Sequence, residues 1–495
     1  MSTPLEFDRL STGSLHFDAV LDGGVPAGAV VVVAGTPGTG KTVLSLQMMF
    51  SLARAGKRSL YVTTLSEPSL KLIRFMQQFD FFDPALLEDR IAFLDIGARA
   101  RTESLDAALA QVKDRVEADG PALLVIDSSK ALHDFVTDHA HARNAMYDLA
   151  VSAATWGATT LLVGEYSSHE FAQCPEFAIA DGIIHLTNQQ QEFTSLRLIE
   201  VTKMRGCAYV TGRHFFEITR AGFLFYPRVT APVIPDGGEL RPVPVPTGVP
   251  GLDELVDGGV PERSSTIIKG ATGTGKTLLG LHFLVEGVRR REPGILFTLE
   301  ETPDQLRGIA RNFGWSLADM EREGLLTVRY TSPVELSTDR FLHTSREEAR
   351  RLGARRIVVD SLTSAALGVA SARRFQELVY ALTKHLRILG ATTVMTAEVA
   401  ELLGPAAMSG EGLSLTSDNV ILLRYIELQG RLDRTIAVLK ARGVDLQSEL
   451  RQFSIGKQGA QVGKRYSGMR GILTGMPSPV DGESQTPRAP GRDAD

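Results

Sequence analysis

Cysteine is almost missing from the chain: Cys174 and Cys207 are its only two thiols in 495 residues. A disulfide framework is therefore excluded, and the composition fits a reducing cytoplasm. Long hydrophobic runs are missing too. The longest apolar stretches, such as residues 29–34, have the length of a strand, far short of the roughly 20 residues that cross a bilayer. Residues 1–10 carry charges without an apolar core, so no secretory signal is expected there. Nor is there an excess of positive charge. A formal net charge of −5 supplies no general drive toward nucleic acid or an anionic membrane. What remains, 43% apolar and 22% charged residues, is the make-up of a globular protein, and the length calls for more than one domain.

The positive signal is a repeat. Gly35, Thr36, Pro37, Gly38, Thr39, Gly40, Lys41 and Thr42 fit the phosphate-loop pattern G-x-x-x-x-G-K-[ST]. The pattern returns 235 residues later as Gly270, Ala271, Thr272, Gly273, Thr274, Gly275, Lys276 and Thr277. In such a loop glycines let backbone N–H groups turn toward the phosphates. The lysine reaches the β- and γ-phosphates, and the threonine hydroxyl can ligate magnesium. Thr12-Gly13 recurs as Thr247-Gly248 at the same offset, and later landmarks drift by only a residue or two: Asp127 with Asp360, Glu165 with Glu398. The repeating unit is a whole domain, duplicated in tandem.

Short β-branched runs alternate with amphipathic helical patterns in both copies. Residues 29–34, 59–63, 90–95, 122–126 and 159–163 read as strands of the first; residues 265–269, 294–299, 325–329, 356–359 and 392–396 read as strands of the second. This order predicts an α/β fold, a mainly parallel sheet flanked by helices, in each copy. Residues 419–425 and 433–440 predict antiparallel hairpins at the sheet edge. The expected organisation is a first nucleotide-binding domain over 1–230, a proline-rich linker over 231–246, a second domain over 247–455, and a flexible tail over 456–495.

Asp127 and Asp360 end buried apolar runs, where a carboxylate can hold magnesium beside the phosphate loop, together with Thr42 and Thr277. An aspartate there can also be a plain turn former. The copies diverge at the end of the strand that follows the phosphate-loop helix. Glu300 and Glu301 stand as adjacent carboxylates that could orient an attacking water or hydroxyl; alternatively they are an acidic cap for the helix entered at Pro303. At the same offset the first copy has Leu65 and Ser66, with Glu67 one position late. The K-x-R-G segments place Lys203 with Arg205 and Lys440 with Arg442. On a strand each pair would share a face and could offer two cations to one phosphate, or simply form a basic edge.

Taken together, the two phosphate loops, T-L-E-E-T-P, V-V-D-S and K-x-R-G resemble the KaiC family of circadian clock ATPases and autokinases, within the wider RecA-like P-loop ATPases. The resemblance spans residues 12–470. It implies two RecA-like domains, ATP and Mg2+ as ligands, and a homo-hexameric double ring with ATP at subunit interfaces. It also implies catalysis by Glu300 and Glu301, and a reach of Lys203, Arg205, Lys440 and Arg442 to a neighbour's γ-phosphate. Counting back from Asp418-Asn419-Val420-Ile421-Leu422-Leu423 puts Ser414 at the family's phospho-serine and Leu415 at its phospho-threonine, with Thr416 and Ser417 as nearby hydroxyls. Partners of the KaiB type or two-component regulators are implied as well. Two other readings stay open: a RecA-like DNA motor, for which residues 404–412 supply no lysine or arginine, and a non-catalytic scaffold switched by ATP.

Overall fold

The computed structural model describes residues 8–64, 69–135, 139–191, 194–228, 243–369, 371–399, 416–428, 430–447, 449–467, 469–470 and 478–479. The chain divides into two compact units, residues 1–228 and 229–495.

Each unit is built on a nine-stranded sheet. The first unit's strands are β1 (Val30–Gly35), β2 (Ser59–Thr63), β3 (Ile91–Asp95), β4 (Leu123–Asp127), β5 (Thr159–Gly164), β6 (Gly182–Gln191), β7 (Thr194–Met204), β8 (Arg213–Thr219) and β9 (Gly222–Tyr226). They lie in the order β9-β8-β7-β6-β1-β5-β4-β2-β3. From β6 to β3 all neighbours are parallel; β7, β8 and β9 add an antiparallel meander.

The second unit repeats the plan. Its strands are β10 (Ser265–Gly270), β11 (Gly294–Thr298), β12 (Leu326–Tyr330), β13 (Arg356–Asp360), β14 (Thr392–Glu398), β15 (Asn419–Leu428), β16 (Arg431–Lys440), β17 (Leu450–Gly456) and β18 (Gly459–Arg465). Their order is β12-β11-β13-β14-β10-β15-β16-β17-β18. The expected fold class is the observed one.

Unbroken apolar strands arise because both faces of the sheet are covered. Side chains alternate across β1, so Val31 and Val33 join one core while Val30, Val32 and Ala34 join the other. In the second unit Val358 packs on one face, and Ile357 and Val359 on the opposite face.

Two boundaries differ from the sequence expectation. Residues 456–465 were expected to open a loose tail, yet β18 pairs with β17 from Gly456↔Gly459 to Arg451↔Arg465. Gly and charge dominate this stretch, but alternate residues still bury: Ala460 is 4% exposed and Val462 packs on the core. Gly459 is a positional requirement (φ 99°), since a Cβ there would lie 2.3 Å from His282 Nε2, which accepts the Ala460 N–H at 2.8 Å. The second difference concerns the linker. Pro244–Val245, expected inside it, pairs with Val260–Pro261 as a short ladder of the second unit. Pro246 follows immediately, and its carbonyl accepts Arg356 Nη1 at 2.6 Å. Arg356 is fully buried, bonded also to Phe283 O and Glu292, and its guanidinium lies 4.6 Å from the Phe283 ring centre.

Candidate active site

Both phosphate loops leave the central strand of their sheet and enter a helix, Lys41–Arg54 or Lys276–Arg289. The helix N-caps, Gly40 and Gly275, are left-handed and provide no side-chain cap. First-turn N–H groups are therefore open to an anion, favoured by the helix dipole. Inside each loop a buried threonine ties the turn: Thr39 Oγ1 donates to Thr36 O at 2.8 Å and Thr274 Oγ1 to Ala271 O at 2.7 Å. Lys41 Nζ donates to Gly35 O at 2.9 Å and Thr36 O at 3.0 Å, and Lys276 Nζ to Ala271 O at 3.0 Å. These ammonium groups rest on carbonyls of their own loops. Burial pulls the Lys41 ammonium below the usual lysine range, opposed by the charges of Glu165 and then Asp127.

The strand-end aspartates stand beside the loops in different states. Asp360 is 1% exposed; Thr396 donates to its Oδ1, and its Oδ2 has no hydrogen-bond donor among the described residues. Burial raises its pKa, while the nearby Thr396 and Thr277 hydroxyls act to lower it. In the first unit Asp127 Oδ2 takes Tyr61 Oη at 2.5 Å and Thr42 Oγ1 at 3.0 Å. Burial again raises the carboxyl. A buried carboxylate oxygen without a donor, facing a threonine hydroxyl and a phosphate-loop lysine, is a donor set that fits a divalent cation bound with a triphosphate. Thr277 and Asp360 would hold that cation, and it would neutralise charge on the phosphates.

Glu300 and Glu301 follow β11. The helix Pro303–Arg311 does not need them as a cap, because Thr302 and Gln305 form a reciprocal capping box. Glu300 Oε1 accepts the Ser361 hydroxyl and, at 2.6 Å, the Ser364 hydroxyl. Glu301 is half-buried, and its Oε2 has no donor among the described residues. Burial raises its pKa first; the charge of Asp360 adds to this, and Lys276 acts in the opposite direction. The structure thus brings Lys276, Asp360, Glu300 and Glu301 into one electrostatic unit. The first-copy counterparts, Leu65, Ser66 and Glu67, lie outside the described residues.

A family model for the KaiC ATPase matches residues 10–230 and again residues 245–467. The chain belongs to the KaiC family. Among curated KaiC proteins, the circadian clock protein KaiC3 of Synechocystis is 29% identical over 483 residues, covering 95% of this chain and 94% of its own. The circadian clock oscillator protein KaiC 1 of the same organism is 28% identical, covering 95% and 92%. KaiC of Prochlorococcus marinus is 27% identical over 96% of this chain and 97% of its own. As a KaiC-family member the chain is an ATP-binding protein of the ATPase type, with one nucleotide loop in each matched segment.

The K-x-R-G cations of this KaiC-family chain do not join the loops of their own units. Lys203 lies opposite Ile183, which pairs with Val32, and Lys440 lies opposite Val420, which pairs with Ile267. Each lysine is therefore about 10 Å below its own loop along the strand and two strands to the side. Arg205 and Arg442 fall just past the strand ends, so the expected strand-face pairing with their lysines does not occur. Arg205 Nη1 is 3.5 Å from Asp181 and Arg442 Nη1 is 3.9 Å from Asp418. Burial lowers the pKa of Lys203 and of Lys440, helped in each case by the neighbouring arginine.

Of the candidate phospho-acceptors, Ser414 lies outside the described residues. Thr416 is half-buried. Ser417 is fully buried, so its hydroxyl cannot meet a phosphoryl donor unless the segment moves. No described helix is long and apolar enough to cross a membrane. Sequence reasoning missed Tyr61, Ser361, Ser364 and Thr396, which set the state of the acids. The Tyr61 signal was available at the 235 offset, where the second copy has Leu296.

Proposed function

We propose that this chain hydrolyses ATP mainly in its second unit, as a cytoplasmic KaiC-like homo-hexamer with ATP at subunit interfaces. Glu301 accepts the proton of the attacking hydroxyl or water; Glu300, fixed by Ser361 and Ser364, orients it. Lys276 and the open helix N-terminus hold the triphosphate, with Thr277 and Asp360 holding its magnesium. The observation that carries this reading is the donor-free, half-buried Glu301 beside Asp360 and Lys276. A water oxygen attacks the γ-phosphorus in line, the bond to the β–γ bridging oxygen breaks, and ADP leaves. Replacing the water by a serine or threonine hydroxyl gives the serine/threonine autokinase, with Ser414 as first candidate and Thr416 as second. Lys203, Arg205, Lys440 and Arg442 serve the neighbouring subunit's nucleotide, a reading supported by their distance from their own loops. The first unit, through Gly35–Gly40, Lys41, Thr42 and Asp127, binds ATP mainly to hold the assembly, since a ligand shared by two subunits favours the assembled state. Relatives named as clock oscillators support a role in a signalling or clock ring.

The test is incubation of the purified chain with Mg-ATP, followed by phosphosite mapping, phosphate-release assay and assembly mass. Phosphate release from a hexamer, with phosphate on Ser414 or Thr416, is the expected result. Turnover unchanged by replacing Glu300 and Glu301 with Gln would sink the catalytic assignment.

A further inference from the structure

We propose that the first site is a second, differently built hydrolytic centre whose water-activating carboxylate is Glu165. The cleft beside the first phosphate loop, about 750 Å³, is lined by Lys41, Thr42, Asp127, Lys130 and Glu165, among others. Its lining carboxylates among the described residues are Asp127 and Glu165. Asp127 is already engaged by Tyr61 and Thr42. Glu165 has no hydrogen-bond donor on its carboxylate among the described residues.

Its placement follows from the sheet. β5 lies between the loop strand β1 and the aspartate strand β4, and Gly164 pairs with Ala34. Glu165 is therefore level with Gly35, the first residue of the loop, between that loop and Asp127. Its charge also acts on the Lys41 ammonium more strongly than that of Asp127.

Comparison with the second unit shows why this acid is available. The matching residue, Glu398, accepts a hydrogen bond from Thr272 of its own phosphate loop. The first loop has Pro37 at that position, with no hydroxyl to give. The Glu398 backbone N–H donates to Thr363 Oγ1 at 2.8 Å. Where the second unit has Thr363, the first has Lys130, whose Nζ donates to Glu165 O at 2.8 Å and Glu170 Oε1 at 2.6 Å. Glu170 is itself fixed by the backbone and hydroxyl of Ser167, each at 2.8 Å. The first unit thus anchors the backbone of Glu165 and leaves its carboxylate facing the cleft.

In the proposed step a water oxygen bonds to the γ-phosphorus as the bond to the β–γ bridging oxygen breaks. ADP carries away the electron pair, and the water proton passes to Glu165 and then to solvent. Products are ADP and inorganic phosphate.

The experiment uses the full chain carrying Lys276→Ala, which silences the second site whichever carboxylate acts there. This parent is expected to retain slow Mg-ATP turnover. Adding Glu165→Gln is expected to lower that turnover about 100-fold, the range of a lost general base. Affinity of the first site for a fluorescent ATP analogue should stay within about twofold, because uniform binding is untouched. The thermal shift produced by nucleotide should also persist, which separates loss of chemistry from loss of fold. Adding Glu67→Gln should change little. The proposal is overturned if Glu165→Gln leaves the turnover intact or if Glu67→Gln removes it. It is equally overturned if the parent shows no turnover above a chain carrying Lys41→Ala as well.

Discussion

Glu301→Gln is the most demanding perturbation of the second site, and its effect can be worked from the surroundings of the side chain. Glu301 Oε2 has no donor among the described residues, and burial with the charge of Asp360 raises its pKa above the ordinary glutamate value of 4.5. A carboxylate in that setting is a better proton acceptor than an ordinary surface glutamate. Losing a positioned general base costs roughly 10²–10⁴ in rate, equivalent to about 3–5 kcal/mol of transition-state stabilisation. Glu300→Gln should cost less, because glutamine keeps the Oε1 that accepts the Ser361 and Ser364 hydroxyls. The assay is phosphate release by the full chain, with the turnover of the Lys276→Ala chain subtracted as the first-site background. The pH profile supplies the sign. The base works ionised, so turnover falls as pH drops through its raised pKa. That acid limb should lie above 4.5 and vanish in Glu301→Gln. Retention of more than about a tenth of the turnover by Glu301→Gln, with the limb still present, would refute the assignment.

Three further outcomes are expected. Burial holds the neutral form of Asp360 favoured in the fold; that contribution is complete below the unfolded value of 3.8 and lost as pH rises through the raised folded value. Asp360→Asn should accordingly raise the melting temperature of the nucleotide-free protein at neutral pH, by about 2–4 °C for each kcal/mol recovered, while abolishing hydrolysis at the second site; differential scanning fluorimetry and phosphate release read the two effects. Pro37→Thr gives the first loop the hydroxyl that holds Glu398 in the second, so it should capture Glu165 and slow first-site turnover in the Lys276→Ala parent by about tenfold, judged against the general-base range. Chains carrying Lys276→Ala, mixed with chains carrying Lys440→Ala and Arg442→Ala, should regain hydrolysis through interfaces that combine an intact loop with intact neighbouring cations. Mixed activity equal to the mean of the two separate proteins would contradict action between subunits.

Much of this architecture is legible in the sequence because it rests on local signals. Val30–Val33 announces a strand buried on both faces, and the G-x-x-x-x-G-K-T spacing dictates the turn that follows. The aspartates at 127 and 360 are legible for the same reason, as acids ending apolar runs. Their differing states are not, because Tyr61 and Thr396 come from neighbouring strands and meet the acids only through parallel register. Ser361 and Ser364 look like an ordinary helix start until Glu300 arrives from β11. β18 was hidden because its glycines and charges resemble a tail, while its burial depends on Ala460 and Val462 meeting a helix nearly 180 residues earlier, at His282. Arg205 and Arg442 show the limit of periodicity, since alternation holds only while the strand lasts.

Arg356 also fixes where this protein can tolerate a change of length. Val243 O accepts the Glu262 N–H at 2.9 Å, Val245 pairs with Val260, and Pro246 O is held by the Arg356 guanidinium. An inserted residue within 243–246 would slip the ladder and take the Pro246 carbonyl from a buried cation that keeps Glu292 and Phe283 O, a loss of about 1.5–3 kcal/mol for one hydrogen bond to a charged group. That cation begins the buried five-residue strand that ends in Asp360. Insertions ahead of residue 243 leave this fastening intact, whereas one placed a few residues later would be felt at the acid beside the second phosphate loop.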